Sequence, residues 1–251
     1  MSCTPFDAQF STRPFAAVPE SVMSVRHPAK RKKELREMLA IDRTLTTVQL
    51  ERLDLLTTAQ QMGLVTVDRT CRTRVTQPGS QTELRFVVAD PSYQSLPSST
   101  LMHWAGVAET RGHIGEAYGP LLQLNTLTGR ERRHLPDAEI HVPDGRVVAV
   151  EFDAGYPREV IAAKLRAASN AGYSGLIWGT SVRARAATVP LFAREMRNEL
   201  PGLQSIHGIY IDFWSPGKPY AARRYSQRKD KYTVTLHRPR ASGSGARVGS
   251  R

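Results

Sequence analysis

Pro136-Asp137-Ala138-Glu139-Ile140-His141-Val142, Pro143-Asp144-Gly145 and Arg146-Val147-Val148-Ala149-Val150-Glu151-Phe152-Asp153 form one continuous stretch, and the architecture of the chain can be worked out from it. Pro-Asp-Gly between two alternating runs is a tight-turn signature, with the glycine supplying the positive-φ position of a three-residue hairpin loop. Pairing Val142 with Arg146 then puts Asp137 directly opposite Glu151. Side chains alternate along a strand, so Glu151 and Asp153 share one face, with Asp137 and Glu139 beside them. Val148, Val150 and Phe152 take the opposite face and are expected to pack under a helix. Directly opposed Cβ atoms are about 4.5–5.5 Å apart, where facing like charges destabilise a sheet. Such a patch needs a compensating cation. A hard divalent ion, Mg2+ or Mn2+, is the natural one, because it prefers carboxylate oxygens and keeps waters for chemistry. Asp137, Glu151 and Asp153 are the expected metal ligands. A one-residue slip in register would split the acids between faces, and the competing reading is the solvated outer face of an ordinary hairpin.

Downstream, Arg158 to Ala171 reads as a helix whose apolar stripe includes Val160, Ile161, Leu165 and Ala168. Lys164 borders that stripe. From there it reaches back toward the acidic strand end to stabilise charge on a phosphate, or it snorkels to solvent. Ser174–Gly179 and Ile206–Phe213 read as strands, with a helix from about Val189 to Asn198 between them. Upstream of the hairpin, a helix is expected from about Ser99 to Thr110, with Glu109 as an extra candidate metal contact. Pro120 to Leu127 is undecided as a strand, and Asp90 to Ser99 is turn-rich and reads as a linker.

The first part of the chain has a different organisation. Residues 1 to 28 hold four prolines and no sustained period, and read as a flexible arm. Lys32–Leu39 looks helical, Thr46-Thr47 caps a second helix, and Leu55–Met62 makes a third, stopped by Gly63. Two strand-like runs follow, Leu64–Val75 and Glu83–Val88, around Gln77-Pro78-Gly79. Three helices and a ribbon give the order of a winged helix-turn-helix, with Arg69, Arg72 and Arg74 on a basic wing.

The 251 residues carry a formal charge of +12, and +9 of it lies between Lys218 and Arg251, where ten basic residues face Asp230 alone. Arg223, Arg224, Arg228, Lys229 and Lys231, interleaved with tyrosines, suit contacts to nucleic-acid phosphates. A solubilising tail is the plainer reading of the same residues. Cys3 and Cys71 make neither a disulfide framework nor a zinc cluster. No P-loop is present, which leaves ATP-driven work unsupported. No apolar run is long enough for a membrane span, and the N-terminus has no secretory pattern. The histidines lack metal-ligand spacing, so His103, His113 and His134 are expected to be structural or surface residues.

Pro136-Asp137 followed by Glu151-Phe152-Asp153 resembles the motif of the PD-(D/E)XK nuclease superfamily, with Asp153 where that motif has lysine. Lys164 would then be a migrated lysine. More narrowly, Pro136-Asp137-Ala138, Glu151-Phe152-Asp153-Ala154-Gly155, Lys164, Leu101-Met102-His103-Trp104 and Ile177-Trp178-Gly179 are similar to the replication-relaxation family of plasmid and mobile-element proteins. The likeness covers roughly residues 45 to 215. It implies an α+β chain in which a winged helix (29–90) precedes a PD-(D/E)XK-like mixed sheet flanked by helices (99–215); the basic tail over 216–251, read as partly disordered from its Gly/Ser-rich end, lies outside the likeness.

Two functions stand as expectations. One is a metal-dependent DNA endonuclease with Asp137, Glu151, Asp153 and Lys164 as its catalytic set. The other is a non-catalytic DNA-binding replication or maintenance factor whose acidic face is a relic. DNA is the expected partner and cytoplasm the expected place. A membrane is not expected, and a homodimer is left open.

Overall fold

The computed structural model describes residues 27–114, 122–124 (backbone only), 136–142, 144–217 and 230–237. The expected arm (up to residue 26) and the tail arginines Arg223, Arg224 and Arg228 with Lys229 lie outside the described residues, as does His134. No described helix is long and apolar enough to cross a membrane.

Helix α1 (Pro28–Asp42) starts on Pro28, whose missing N–H is not needed in a first turn, and His27 Nδ1 accepts from the Ala29 N–H. Pro28 therefore belongs to this helix rather than to the arm. Strand β1 (Thr44–Thr46) runs straight into α2 (Thr47–Arg52), where Thr46 and Gln49 satisfy each other's backbone donors in a capping box. Helix α3 (Leu56–Gln61) and strands β2 (Thr66–Arg72) and β3 (Gln81–Val88) complete a small unit whose antiparallel sheet has the order β1-β3-β2. Strand β2 ends before Val75 because the chain leaves the ladder there, and the Val75 N–H donates to the Ala154 carbonyl at 2.8 Å.

Helix α4 (Ser98–Ile114) lies between this sheet and a larger one. One core holds Val67, Leu84 and Phe86 of the ribbon, Leu101 and Ala105 of α4, and Val148, Val150 and Phe152 beyond it. The larger sheet has the order β4-β5-β6-β7-β8-β9. Its strands are β4 (Leu122–Leu124), β5 (Ala138–His141), β6 (Val147–Asp153), β7 (Gly175–Thr180), β8 (Ser205–Tyr210) and β9 (Lys231–Thr235). β6, β7 and β8 are parallel, and every other pairing is antiparallel. Helices α5 (Arg158–Asn170) and α6 (Arg185–Glu195) provide the crossovers and cover the far face, where Ala149, Ile161, Leu165, Trp178 and Val189 form a second core. The architecture is mixed α/β. Strand β9 falls inside the expected tail. It is ordered because Val234 and Leu236 are buried in that second core.

The β5–β6 register places Ala138 opposite Val150 and His141 opposite Val147, as the Val142–Arg146 pairing requires. Val142 N–H bonds the Arg146 carbonyl at 2.8 Å and Asp137 N–H bonds the Val150 carbonyl at 3.0 Å. Gly145 takes φ +84° in the turn.

Candidate active site

Strand β6 is central and buried on both faces, which makes its two acids unusual. Glu151 is 4% exposed and Asp153 0%. Asp137 enters from the start of β5. Its Oδ2 accepts the Phe152 N–H at 2.8 Å, and its Oδ1 lies 2.9 Å from His103 Nε2 on α4. Glu151 Oε2 accepts from Lys164 Nζ on α5 at 2.6 Å. The Tyr156 ring stands 5.5 Å from the same nitrogen. Asp137, Glu151 and Lys164 are thus brought together, with His103 and Tyr156 holding two of them in place.

The electrostatics follow from this crowding. Burial raises the Asp137 carboxyl, but the His103 ring, Lys164 and the Phe152 N–H outweigh it and hold the pKa at about 2. Burial and the neighbouring Asp137 charge push Glu151 well above the usual carboxylate range, against the pull of Lys164. For Lys164, burial works against the charge, but Glu151, Asp137 and Asp153 more than offset it and raise its pKa. Two carboxylates and one ammonium therefore titrate as a unit, with Asp137 ionised and Glu151 reluctant.

Asp153 does not join them. Its Oδ2 accepts from Arg185 Nη1 at 2.8 Å and Trp178 Nε1 at 3.3 Å, while Oδ1 accepts the Gly155 and Tyr156 N–H groups. These four donors turn it toward α6 and the β6–α5 turn. The expectation of Asp153 as a third ligand beside Glu151 meets a side chain engaged elsewhere. Glu109 is also withdrawn: it pairs with Arg52 at 3.1 Å and accepts from Gln49 at 2.9 Å, joining α4 to α2. Asp212 accepts from the Ser215 N–H and hydroxyl at 2.8 Å, which shapes the turn after β8.

The basic residues also separate. Burial alternates along β2, so Arg69 and Arg72 point to opposite faces. Arg69 donates to the Gln94 carbonyl, and Arg74 bonds Gln77 at 2.9 Å within its own loop. Lys231 points its ammonium at the His113 carbonyl, 3.4 Å away, and burial lowers its pKa. Of Arg69, Arg72 and Arg74, Arg72 alone lines a cavity of about 800 Å3 that also reaches Asp137 and Lys164.

Sequence reasoning missed His103, Tyr156 and Arg185. His103 sits in the Leu101–Trp104 segment that carries the family likeness, which is the available signal. Tyr156 and Arg185 give none, because their roles depend on how the β6–α5 turn folds back.

Among the described residues, no group of three or more His, Cys, Asp and Glu side chains is placed to hold a metal. Asp137 lines the cavity and Glu151 is buried behind Lys164; both are hard oxygen donors, which fits an ion that takes one or two carboxylates and completes its shell with waters and substrate phosphate. The set fits Mg2+ in that mode and does not fit an all-protein cage. No family model matches the chain, no curated protein matches it, and no solved structure matches it.

Proposed function

We propose that the chain is a DNA-binding protein with a metal-dependent phosphodiesterase site, acting as an endonuclease in plasmid or mobile-element DNA processing. The observation that carries this reading is the convergence of Asp137, just before β5, with Lys164 of α5 in the lining of one cavity, and of Glu151 of β6 bonded to Lys164 directly behind it. The order α4, β4-β5-β6 antiparallel, α5 and then β7 parallel to β6 supports the PD-(D/E)XK-like expectation. The order α1-β1-α2-α3-β2-β3 with sheet order β1-β3-β2 likewise supports a winged helix.

Mg2+ held by Asp137 and Glu151 would supply Lewis-acid stabilisation of the phosphate and a bound water of lowered pKa. His103 and the Phe152 N–H fix the Asp137 carboxylate from two sides. Lys164 supplies a preorganised positive charge where negative charge develops on the phosphate, and its Glu151 and Tyr156 contacts keep it from swinging to solvent.

Incubating supercoiled plasmid with the purified chain in Mg2+, Mn2+ and EDTA, beside Glu151→Ala, tests the reading. Nicking that needs both metal and Glu151 is expected. A second reading, a non-catalytic DNA-binding factor, is favoured by one observation: Asp153 is committed to Arg185, leaving two carboxylates rather than three. Gel shifts without nicking in any metal would select it.

A further inference from the structure

The β2–β3 ribbon is not a free wing. Val75 N–H is bonded to the Ala154 carbonyl at 2.8 Å, and the Ser181 hydroxyl donates to the Thr73 carbonyl. A Cβ at Gly155 would sit 3.4 Å from the Val75 nitrogen. The ribbon is therefore docked on the turn that follows Glu151-Phe152-Asp153 and walls one side of the cavity. Helix α4 forms the facing wall, with Ser98, Ser99 and Thr100 in its first turn.

The described lining of about 800 Å3 carries Arg43, Arg72 and Lys164 against a single acid, Asp137. Arg43 is fixed rather than free: it caps α1 at φ 65°, its N–H bonds the Leu39 carbonyl, and its guanidinium lies 5.0 Å from the Trp104 ring centroid. Trp104 itself lines the cavity and is braced edge-on by Tyr93 at 5.2 Å.

We propose that a single DNA strand, unpaired, runs along this cleft, with Arg72 and Arg43 taking phosphates that flank the scissile one and the Arg43–Trp104 pair offering a stacking platform for a base. The inference rests on the phosphodiesterase reading and names its substrate class. Three observations meet in it. The cavity of about 800 Å3 is in the range that encloses small ligands, which suits an unpaired segment of one strand and leaves no room for both strands of a duplex. The excess of cations suits a polyanion. Aromatic and guanidinium planes beside a cationic track are what sequence-tolerant single-strand binding uses. The N-terminal unit then contributes substrate contacts to the site instead of acting as a separate anchor.

The test uses the full chain, in EDTA, with a fluorescein-labelled thymidine 12-mer and a blunt duplex of the same length, read by anisotropy. The variants are Arg72→Ala, at an exposed position, and Arg43→Asn, since asparagine tolerates positive φ. Each is expected to weaken single-strand binding about ten- to hundredfold, the scale of a charge-assisted hydrogen bond, with duplex binding unchanged. The slope of log affinity against log salt should fall by about 0.7 for each phosphate that is no longer neutralised. Cleavage of the 12-mer in Mg2+ is measured alongside. Loss of single-strand binding in the variants of a chain that never cleaves keeps the cleft and removes the phosphodiesterase reading. Cleavage by a chain whose variants bind and cut the single strand like wild type overturns the cleft and keeps the reading.

Discussion

Lys164 Nζ and Glu151 Oε2 lie 2.6 Å apart, on a helix and a strand that follow one another in the chain, with side chains only 19% and 5% exposed. A buried pair of this kind punishes removal of one partner more than removal of both. Lys164→Met leaves Glu151 facing Asp137 without its cation, and is expected to lower the melting temperature and to abolish metal-dependent nicking. Adding Glu151→Gln to that variant takes away the stranded acid and should recover part of the loss. A double-mutant cycle by urea melts is expected to give a coupling of about 1–3 kcal/mol. Additive single effects would mean that the pair is not coupled in solution.

Asp153 and Glu151 share a strand face but differ in role, which gives a second prediction. Asp153→Ala strands the Arg185 guanidinium and removes the acceptor for the Gly155 and Tyr156 N–H groups. A loss of about 3–5 kcal/mol is expected. Glu151→Gln, by contrast, should remove nicking at a smaller cost in stability than Asp153→Ala, since the Lys164 it strands is 19% exposed and still has the Asp137 charge nearby. Equilibrium unfolding of both variants decides it: an Asp153→Ala protein as stable as wild type would remove the structural assignment.

Helix α4 rides directly on β6 at Gly106. A Cβ there would come within 2.5 Å of the Phe152 ring, whose strand neighbour is Glu151. Gly106→Ala is expected to cost about 1–3 kcal/mol through overpacking and to displace His103, one turn earlier on the same helix, from Asp137. Nicking should fall more than the folded fraction does. Unchanged stability would show that Phe152 moves aside freely.

The β5–β6 hairpin is legible in the sequence because two independent signals agree there, a period of two and a Pro-Asp-Gly turn. The Lys164 contact is half legible: its place beside the apolar stripe is visible, but its direction is not. The placement of Asp153 is illegible, since a strand position fixes a face and not a partner, and Arg185 arrives from a helix 32 residues further on. Strand β9 is hidden by charge. Val234 and Leu236 are buried in the core and Tyr232 packs against it, but the basic residues around them read as a tail. His103 is invisible to histidine spacing along the chain, because its partner Asp137 comes from another element.

Strand β9 changes what a tail deletion does. Ending the chain after His237 removes four arginines, Arg238, Arg240, Arg247 and Arg251, and should flatten the salt dependence of DNA binding without moving the melting temperature. Ending it before Lys218 also removes β9. That leaves the β8 edge from Ser205 to Ile209 unpaired and uncovers the core that Val234 seals. This shorter chain is expected to melt lower and to aggregate through the open edge. Equal melting temperatures for the two truncations would show that β9 adds nothing to stability.

His207 gives the acid limb of stability a defined position. It is 1% exposed on β8, with Nε2 3.2 Å from the Ser205 hydroxyl and Nδ1 2.8 Å from the Thr233 hydroxyl. Burial lowers its pKa from 6.5 to about 3. Above pH 6.5 the ring is neutral in both the folded and the unfolded chain, and the stability of the neutral arrangement is fully present. As pH falls below 6.5, the unfolded chain takes up a proton that the folded chain refuses. Stability then drops by up to about 1.4 kcal/mol per pH unit until the folded ring itself titrates. His113, 4% exposed and also lowered to about 3 by burial, adds a second contribution of the same sign. His207→Gln replaces the ring with a group that still meets both hydroxyls and does not titrate. Between pH 7 and pH 4.5 it should lose less stability in urea melts than wild type, by about 2 kcal/mol. Parallel pH profiles for the two proteins would mean that His207 is protonated in the fold and that its burial against β9 is incomplete.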